Sequence, residues 1–109
     1  MLYHSTRGLE EPKSFNEVLH SGLARDGGLF VPKIIPRLDE KTLAQWKHLS
    51  YEKLAVEIIS LFSGDCFSKT ELSDIVHQSY SGFQHELKSP LIKLEEKHYF
   101  LELFRGPTL

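Results

Sequence analysis

The chain has 109 residues, of which 40% are hydrophobic and 26% charged, and its net charge at pH 7 is −2. A chain of this mass buries about two thirds of its surface on folding, so a core without disulfides or metals is possible. The 13 basic and 15 acidic residues lack the basic excess of polyanion-binding domains, so we expect no nucleic-acid partner.

The cysteine count and the apolar pattern indicate a cytoplasmic protein. Cys66 is the only cysteine, so an intrachain disulfide framework is excluded. The first eight residues lack the apolar run of a signal peptide. No stretch approaches the roughly 18 apolar residues of a membrane span, so we expect no membrane partner.

The first third of the chain predicts short extended segments around one helix. Residues 2–5 are predicted as an edge strand. Ser14 with Glu17 three positions later is the capping-box pattern that begins a helix, and Gly22 suits its left-handed end. Residues 29–31 predict a very short extended segment.

Three more helices are predicted from their first residues. Asp39 or Thr42 begins one that runs to about Leu49, and Ser50 and Ser68 begin the next two. Apolar residues at helical spacing follow each of these starts. The expected core comprises Leu19, Trp46, Leu54, Ile58, Ile59, Phe62, Leu72, Ile75 and Val76.

The pattern changes to strand alternation at Pro90. Residues 91–94 and 99–104 predict a β-hairpin with a four-residue loop. The second strand is apolar on both faces, so it needs cover on both sides, and we expect the hairpin to self-associate where that cover is missing. The predicted fold class is α+β, with a mainly helical domain over residues 1–88 and the hairpin within residues 89–109.

Most candidate chemical motifs have a simpler structural explanation. The six histidines show no clustered ligand spacing, so no metal site is expected. Asp26-Gly27-Gly28 lacks the lysine of a phosphate loop and is interpreted as a turn. The segment 104–108 places a cation, a glycine, a proline and a hydroxyl after a strand, where α/β folds present ligand-binding loops, although a plain turn remains an alternative.

Four motifs in the same order carry a family resemblance. They are Ser5-Thr6-Arg7-Gly8 and residues 22–32, 49–55 and 101–109. Together they resemble the N-terminal region of the threonine synthase family, of the type with an extra N-terminal helical domain. The resemblance spans essentially the whole chain.

The resemblance implies an enzyme of pyridoxal-phosphate fold type II, with an α/β parent. This family converts O-phospho-homoserine and water into threonine and phosphate. Its cofactor lysine follows the Gly-Pro-Thr-Leu turn, and the printed sequence ends at Leu109, before that lysine. We therefore expect no catalytic residue and no bound pyridoxal phosphate in these 109 residues alone, with the remainder of the enzyme as their partner.

The resemblance also implies which residues lie near the cofactor. Arg105, Gly106, Pro107 and Thr108 would lie beside the cofactor lysine and position it. Arg105 stands where the family has histidine, and its permanent charge favours positioning over proton transfer. The stretch Ser5-Thr6-Arg7 would either approach the active site or act as a structural tether.

Two other functions remain open. One is a threonine-synthase-like phospholyase, which eliminates phosphate from a related amino-acid phosphate ester. The other is a stand-alone helical interaction module without an enzyme. A reading frame that continues with Ala-Phe-Lys would eliminate the module, whereas a stop codon after Leu109 would favour it.

Overall fold

A computed structural model describes residues 1–83 and 87–104 of the chain. Within these residues an antiparallel three-stranded sheet lies beside a group of helices, and a hairpin follows. The elements in chain order are β1 (Leu2–Ser5), β2 (Lys13–Ser14), α1 (Phe15–Ser21), β3 (Phe30–Pro32), α2 (Glu40–Trp46), α3 (Tyr51–Ser63), a 3-10 turn (Gly64–Cys66), α4 (Lys69–Ser81), β4 (Leu91–Glu95) and β5 (His98–Leu101). The predicted α+β class is confirmed.

The predicted helix starts are confirmed by their caps. The Ser14 backbone N–H donates to the Glu17 carboxylate at 2.8 Å, and the Ser14 hydroxyl accepts from the Glu17 N–H, which closes the capping box of α1. Ser68 begins α4 through the same pattern. Asp39, not Thr42, caps α2, because its carboxylate accepts the Thr42 N–H at 2.8 Å. Each cap joins two residues that are three positions apart in the sequence, which explains why the sequence alone locates it.

The prediction that β1 is an edge strand is wrong. The strand order is β2-β1-β3, so β1 is the central strand. Tyr3 pairs with Lys13 on one side and with Pro32 on the other. The two-residue strand β2 is too short to give an alternating pattern, so its pairing with β1 could not be read from the sequence.

The hydrophobic core is smaller than predicted. Val56, Leu72 and Val76 form it, and Ala55, Ile59, Phe67 and Tyr80 pack against it partly buried. Three expected core residues are exposed instead, namely Leu19 (58%), Ile58 (40%) and Ile75 (44%). Helical periodicity identified an apolar face correctly, but it cannot show whether another element covers that face.

Tyr3 joins the sheet to the helices. Its side chain is 7% exposed, and its hydroxyl donates to the carbonyl of Phe62 at 3.0 Å. That carbonyl lies in the last turn of α3, where helix carbonyls lack partners within the helix. The Tyr3 ring also contacts Phe15 of α1, at 6.0 Å between ring centroids.

The predicted hairpin is present but shorter. Glu95 pairs with His98, so the loop holds two residues instead of four, and β5 ends at Leu101 before the predicted end at Phe104. Every residue of β4 and β5 is exposed. The domain division at residue 88 stays a prediction.

None of the helices in residues 1–83 and 87–104 combines the length and apolar character needed to cross a membrane.

Candidate functional site

Two segments that carry the family resemblance lie against each other. The chain after β1 runs beside the chain before β3, and the Thr6 N–H donates to the Leu29 carbonyl at 2.9 Å. The Leu29 N–H in turn donates to the Thr6 hydroxyl at 3.0 Å. Residues 5–8 and 24–29 therefore form one folded unit, although about 20 positions separate them in the sequence.

The carboxylate of Asp26 is the centre of this unit. Its Oδ1 accepts the Ser5 hydroxyl at 2.7 Å and the Gly28 N–H at 2.9 Å, and its Oδ2 accepts the Leu9 N–H at 3.1 Å. The Ser5 oxygen accepts the Arg7 N–H at 3.1 Å. We call Ser5, Arg7, Leu9, Asp26 and Gly28 the Asp26 cluster.

Hydrogen bonding within the Asp26 cluster favours the ionised carboxylate. The Ser5 hydroxyl, followed by the Gly28 N–H, holds the pKa of Asp26 below its usual value. Ser5 itself is only 2% exposed. The charge of Asp26 is thus used to bind the protein's own donors.

Gly28 is required by the closeness of these contacts. A Cβ atom at this position would lie 2.2 Å from the Ser5 oxygen, which is far inside van der Waals contact. Gly27 has a φ of 78°, a left-handed conformation that favours glycine. Asp26-Gly27-Gly28 is therefore a turn that encloses a carboxylate, as the Gly27 N–H donating to Ala24 at 2.9 Å also indicates.

The Asp26 cluster does not fit the phosphate of pyridoxal phosphate. A phosphate cradle needs backbone N–H groups with free hydrogen-bonding capacity. Here the N–H groups of Arg7, Leu9 and Gly28 already donate to Ser5 or Asp26. Within the part of the chain that the structure describes, no three His, Cys, Asp or Glu side chains group closely enough to hold a metal ion.

Arg7 is held by a hydrogen bond to Asp26, but its charged side chain is exposed to solvent. One guanidinium nitrogen donates to the Asp26 carbonyl at 2.9 Å, and it would lie 3.1 Å from a Cβ at Gly27. The side chain is exposed, and within residues 1–83 and 87–104 no carboxylate oxygen forms an ion pair with it at 4 Å or less. The remaining guanidinium donors are therefore available to an external anion.

The predicted site residues differ in what the structure says about them. Ser5 and Thr6 hydrogen-bond within the fold, and Arg7 reaches solvent. Arg105, Gly106, Pro107 and Thr108 lie outside the described residues, so their placement beside a cofactor lysine stays a prediction.

Sequence reasoning missed the central role of Asp26. An aspartate two positions before a backbone donor is a known turn pattern, and that pattern could have indicated the Gly28 contact. The contacts with Ser5 and Leu9 join residues 21 and 17 positions apart, so no local pattern indicates them.

Asp26→Asn should destabilise the protein in a pH-dependent way. Because the pKa of Asp26 is lowered on folding, its contribution is present above about pH 4 and is lost as the pH falls through the folded-state pKa. In urea unfolding, we expect the variant to have a lower midpoint at pH 7 and a smaller deficit near pH 3. Asp74→Asn, on the exposed side of α4, is the matched control. An Asp26→Asn deficit that is independent of pH would contradict this account.

Comparisons with known proteins identify relatives over nearly all of the chain. The family described as "Threonine synthase N terminus" matches residues 2–80. Threonine synthase of Eremothecium gossypii is 46% identical, and the match covers 98% of this chain and 22% of the relative. Threonine synthase-like 2 of Pongo abelii is 43% identical, and the match covers 99% of this chain and 22% of the relative. The chain thus spans about a fifth of the length of these relatives.

Solved structures agree with the sequence matches. The structure of threonine synthase with bound pyridoxal phosphate from Brucella melitensis has a TM-score of 0.88 at 33% identity, and it matches 98% of this chain and 23% of that one. The yeast threonine synthase structure has a TM-score of 0.83 at 38% identity, and it matches 96% of this chain and 22% of the yeast chain. The chain therefore belongs to the threonine synthase family, whose N-terminal region it resembles along nearly its whole length.

Proposed function

We propose that these residues form the N-terminal region of a pyridoxal-phosphate-dependent lyase. The enzyme would act in the cytoplasm and convert O-phospho-homoserine and water into threonine and phosphate. The observation that supports this is the match of nearly the whole chain to threonine synthases in both sequence and backbone. The alternative of a module without an enzyme has no comparable support.

The chemistry is assigned to the part of the longer relatives beyond these residues. Pyridoxal phosphate, when bound, supplies an electron sink for breaking the carbon–oxygen bond. The Asp26 cluster has no N–H groups left for a phosphate, so we assign it a structural role: it fixes the chain after β1 and thereby the position of Arg7. The turn at residues 105–108 is proposed to position the cofactor lysine.

Turnover should require more than these 109 residues. We expect full-length protein with pyridoxal phosphate to release phosphate from O-phospho-homoserine and to form an equal amount of threonine. A polypeptide of residues 1–109 should release no phosphate above background, because it lacks the cofactor lysine that the family resemblance implies. Phosphate release by the short polypeptide would contradict its proposed inactivity, and an inactive full-length protein would contradict the proposed reaction.

A phospholyase is the second candidate function. Threonine synthase-like 2 of Pongo abelii matches the chain about as well as the threonine synthases do. The N-terminal similarity therefore does not separate a threonine synthase from a threonine synthase-like protein. Amino-acid analysis of the products does: phosphate release without threonine would favour the phospholyase.

We further propose that Arg7 binds an anionic group of the substrate, which is either its phosphate or its carboxylate. Its guanidinium is permanently charged, and its planar donors suit phosphate and carboxylate groups. The Asp26 carbonyl orients it, while the Asp26 carboxylate is occupied by Ser5, Gly28 and Leu9. The guanidinium is exposed, and besides its bond to the Asp26 carbonyl its charge attracts the Asp26 carboxylate.

Arg7→Met should weaken substrate binding in the full-length enzyme. Loss of a charge-assisted hydrogen bond corresponds to a rise in KM of about tenfold or more. Arg25→Met is the matched control, because Arg25 is also exposed and lies beside a carboxylate: its backbone N–H donates to Glu10 at 2.7 Å, and its charge attracts Glu10. An active enzyme whose KM is unchanged by Arg7→Met would exclude this role for Arg7 without affecting the proposed reaction.

The hairpin is proposed to cause self-association of the 109-residue polypeptide. Its strands are exposed throughout, and large apolar side chains lie on them, among them Leu91, Leu94 and Tyr99 at 62%, 65% and 56%. Exposed apolar strands pair with further chains. Sedimentation velocity should show a mass that rises with concentration, and Leu94→Lys should reduce that rise. A monomer at every concentration would contradict the proposal.

A further inference from the structure

The chain exposes much more surface than a self-sufficient monomer of its mass. Its accessible surface is 8766 Å², which exceeds the area expected for 12.6 kDa by about 2,500 Å². The hairpin accounts for one part of this exposure. Another part lies on the helices, where three of the expected core residues are uncovered.

The uncovered helix residues border two adjoining depressions. One, of about 290 Å³, lies between α1 and α4 above the buried Leu72 and Val76, and Leu19, Ile75 and Ser79 line it. The other, of about 240 Å³, lies along α3. Ile59 and Tyr80 line both, so the two form one surface, which we call the helix groove.

The chemistry of the helix groove is that of a permanent interface. None of its lining residues carries a charge, and nearly all are aliphatic or aromatic. Obligate interfaces are more apolar than transient ones, and they resemble a protein core divided in two. The partner should accordingly be one that is always present.

We infer that the helix groove is covered by the catalytic region that the longer relatives carry beyond this match. The excess area, which the helix groove shares with the hairpin, is well above the roughly 800 Å² per partner of a standard interface. The chain spans only 22–23% of the relatives, which leaves a region several times its own size within the same polypeptide. A tethered partner is present at high effective concentration, so the groove needs no charged residues to recruit it.

This inference rests on family membership and on exposed area, and the reaction does not enter it. Matched cysteine variants of the full-length protein therefore test it without an activity assay. Ser79→Cys and Leu19→Cys place a thiol in the helix groove, and Ser73→Cys places one on the same helix as Ser79 but outside the groove.

In residues 1–109 all three side chains are exposed, so any protection in the full-length protein must come from outside this part of the chain. In full-length protein, peptide-resolved thiol labelling should modify Ser79→Cys and Leu19→Cys at least about tenfold more slowly than Ser73→Cys. The three rates should become equal in concentrated urea. Because Ser79→Cys changes one atom, it should preserve folding even if Leu19→Cys does not.

Two results would overturn the inference. Equal labelling of the groove and control thiols in native full-length protein would show that the groove stays uncovered. Protection that increases with protein concentration would instead indicate a second copy of the chain as the occupant.

Discussion

The Asp26 carboxylate imposes the constraint on which the N-terminal part of the structure depends. Both oxygens of this half-buried carboxylate accept hydrogen bonds, from Ser5, Gly28 and Leu9. This set of contacts fixes the chain after β1 against the turn before β3. The position of Arg7 follows, because its backbone N–H and its side chain both bind within the same set.

Features of the fold that depend on local contacts could be predicted from the sequence. Features that depend on contacts between distant residues could not. The caps at Ser14, Ser50 and Ser68 involve residues three apart, and the sequence located all of them. The central position of β1 depends on a two-residue strand with no pattern of its own. The exposure of Leu19 depends on whether another element covers it, and an amphipathic pattern carries no information about that.

The site was predictable to a similar extent. The motif at residues 5–7 lies beside the Asp26 carboxylate, but the sequence could not show that Ser5 is buried whereas Arg7 is exposed. The sequence predicts Asp26 to be a turn residue, which is correct for its bond to Gly28 and incomplete for its bonds to Ser5 and Leu9. Recognising the last two requires knowing that the strands pair.

The hydrogen bond from Tyr3 to the Phe62 carbonyl has a consequence for biosynthesis. It joins the first strand to a helix terminus 59 residues later. At ordinary translation rates, roughly 3 to 12 s pass between the synthesis of the two residues. During that interval the phenol ring can contact Phe15 of α1, but its hydroxyl lacks the acceptor in α3. The bond that joins β1 to α3 therefore forms only after α3 has left the ribosome.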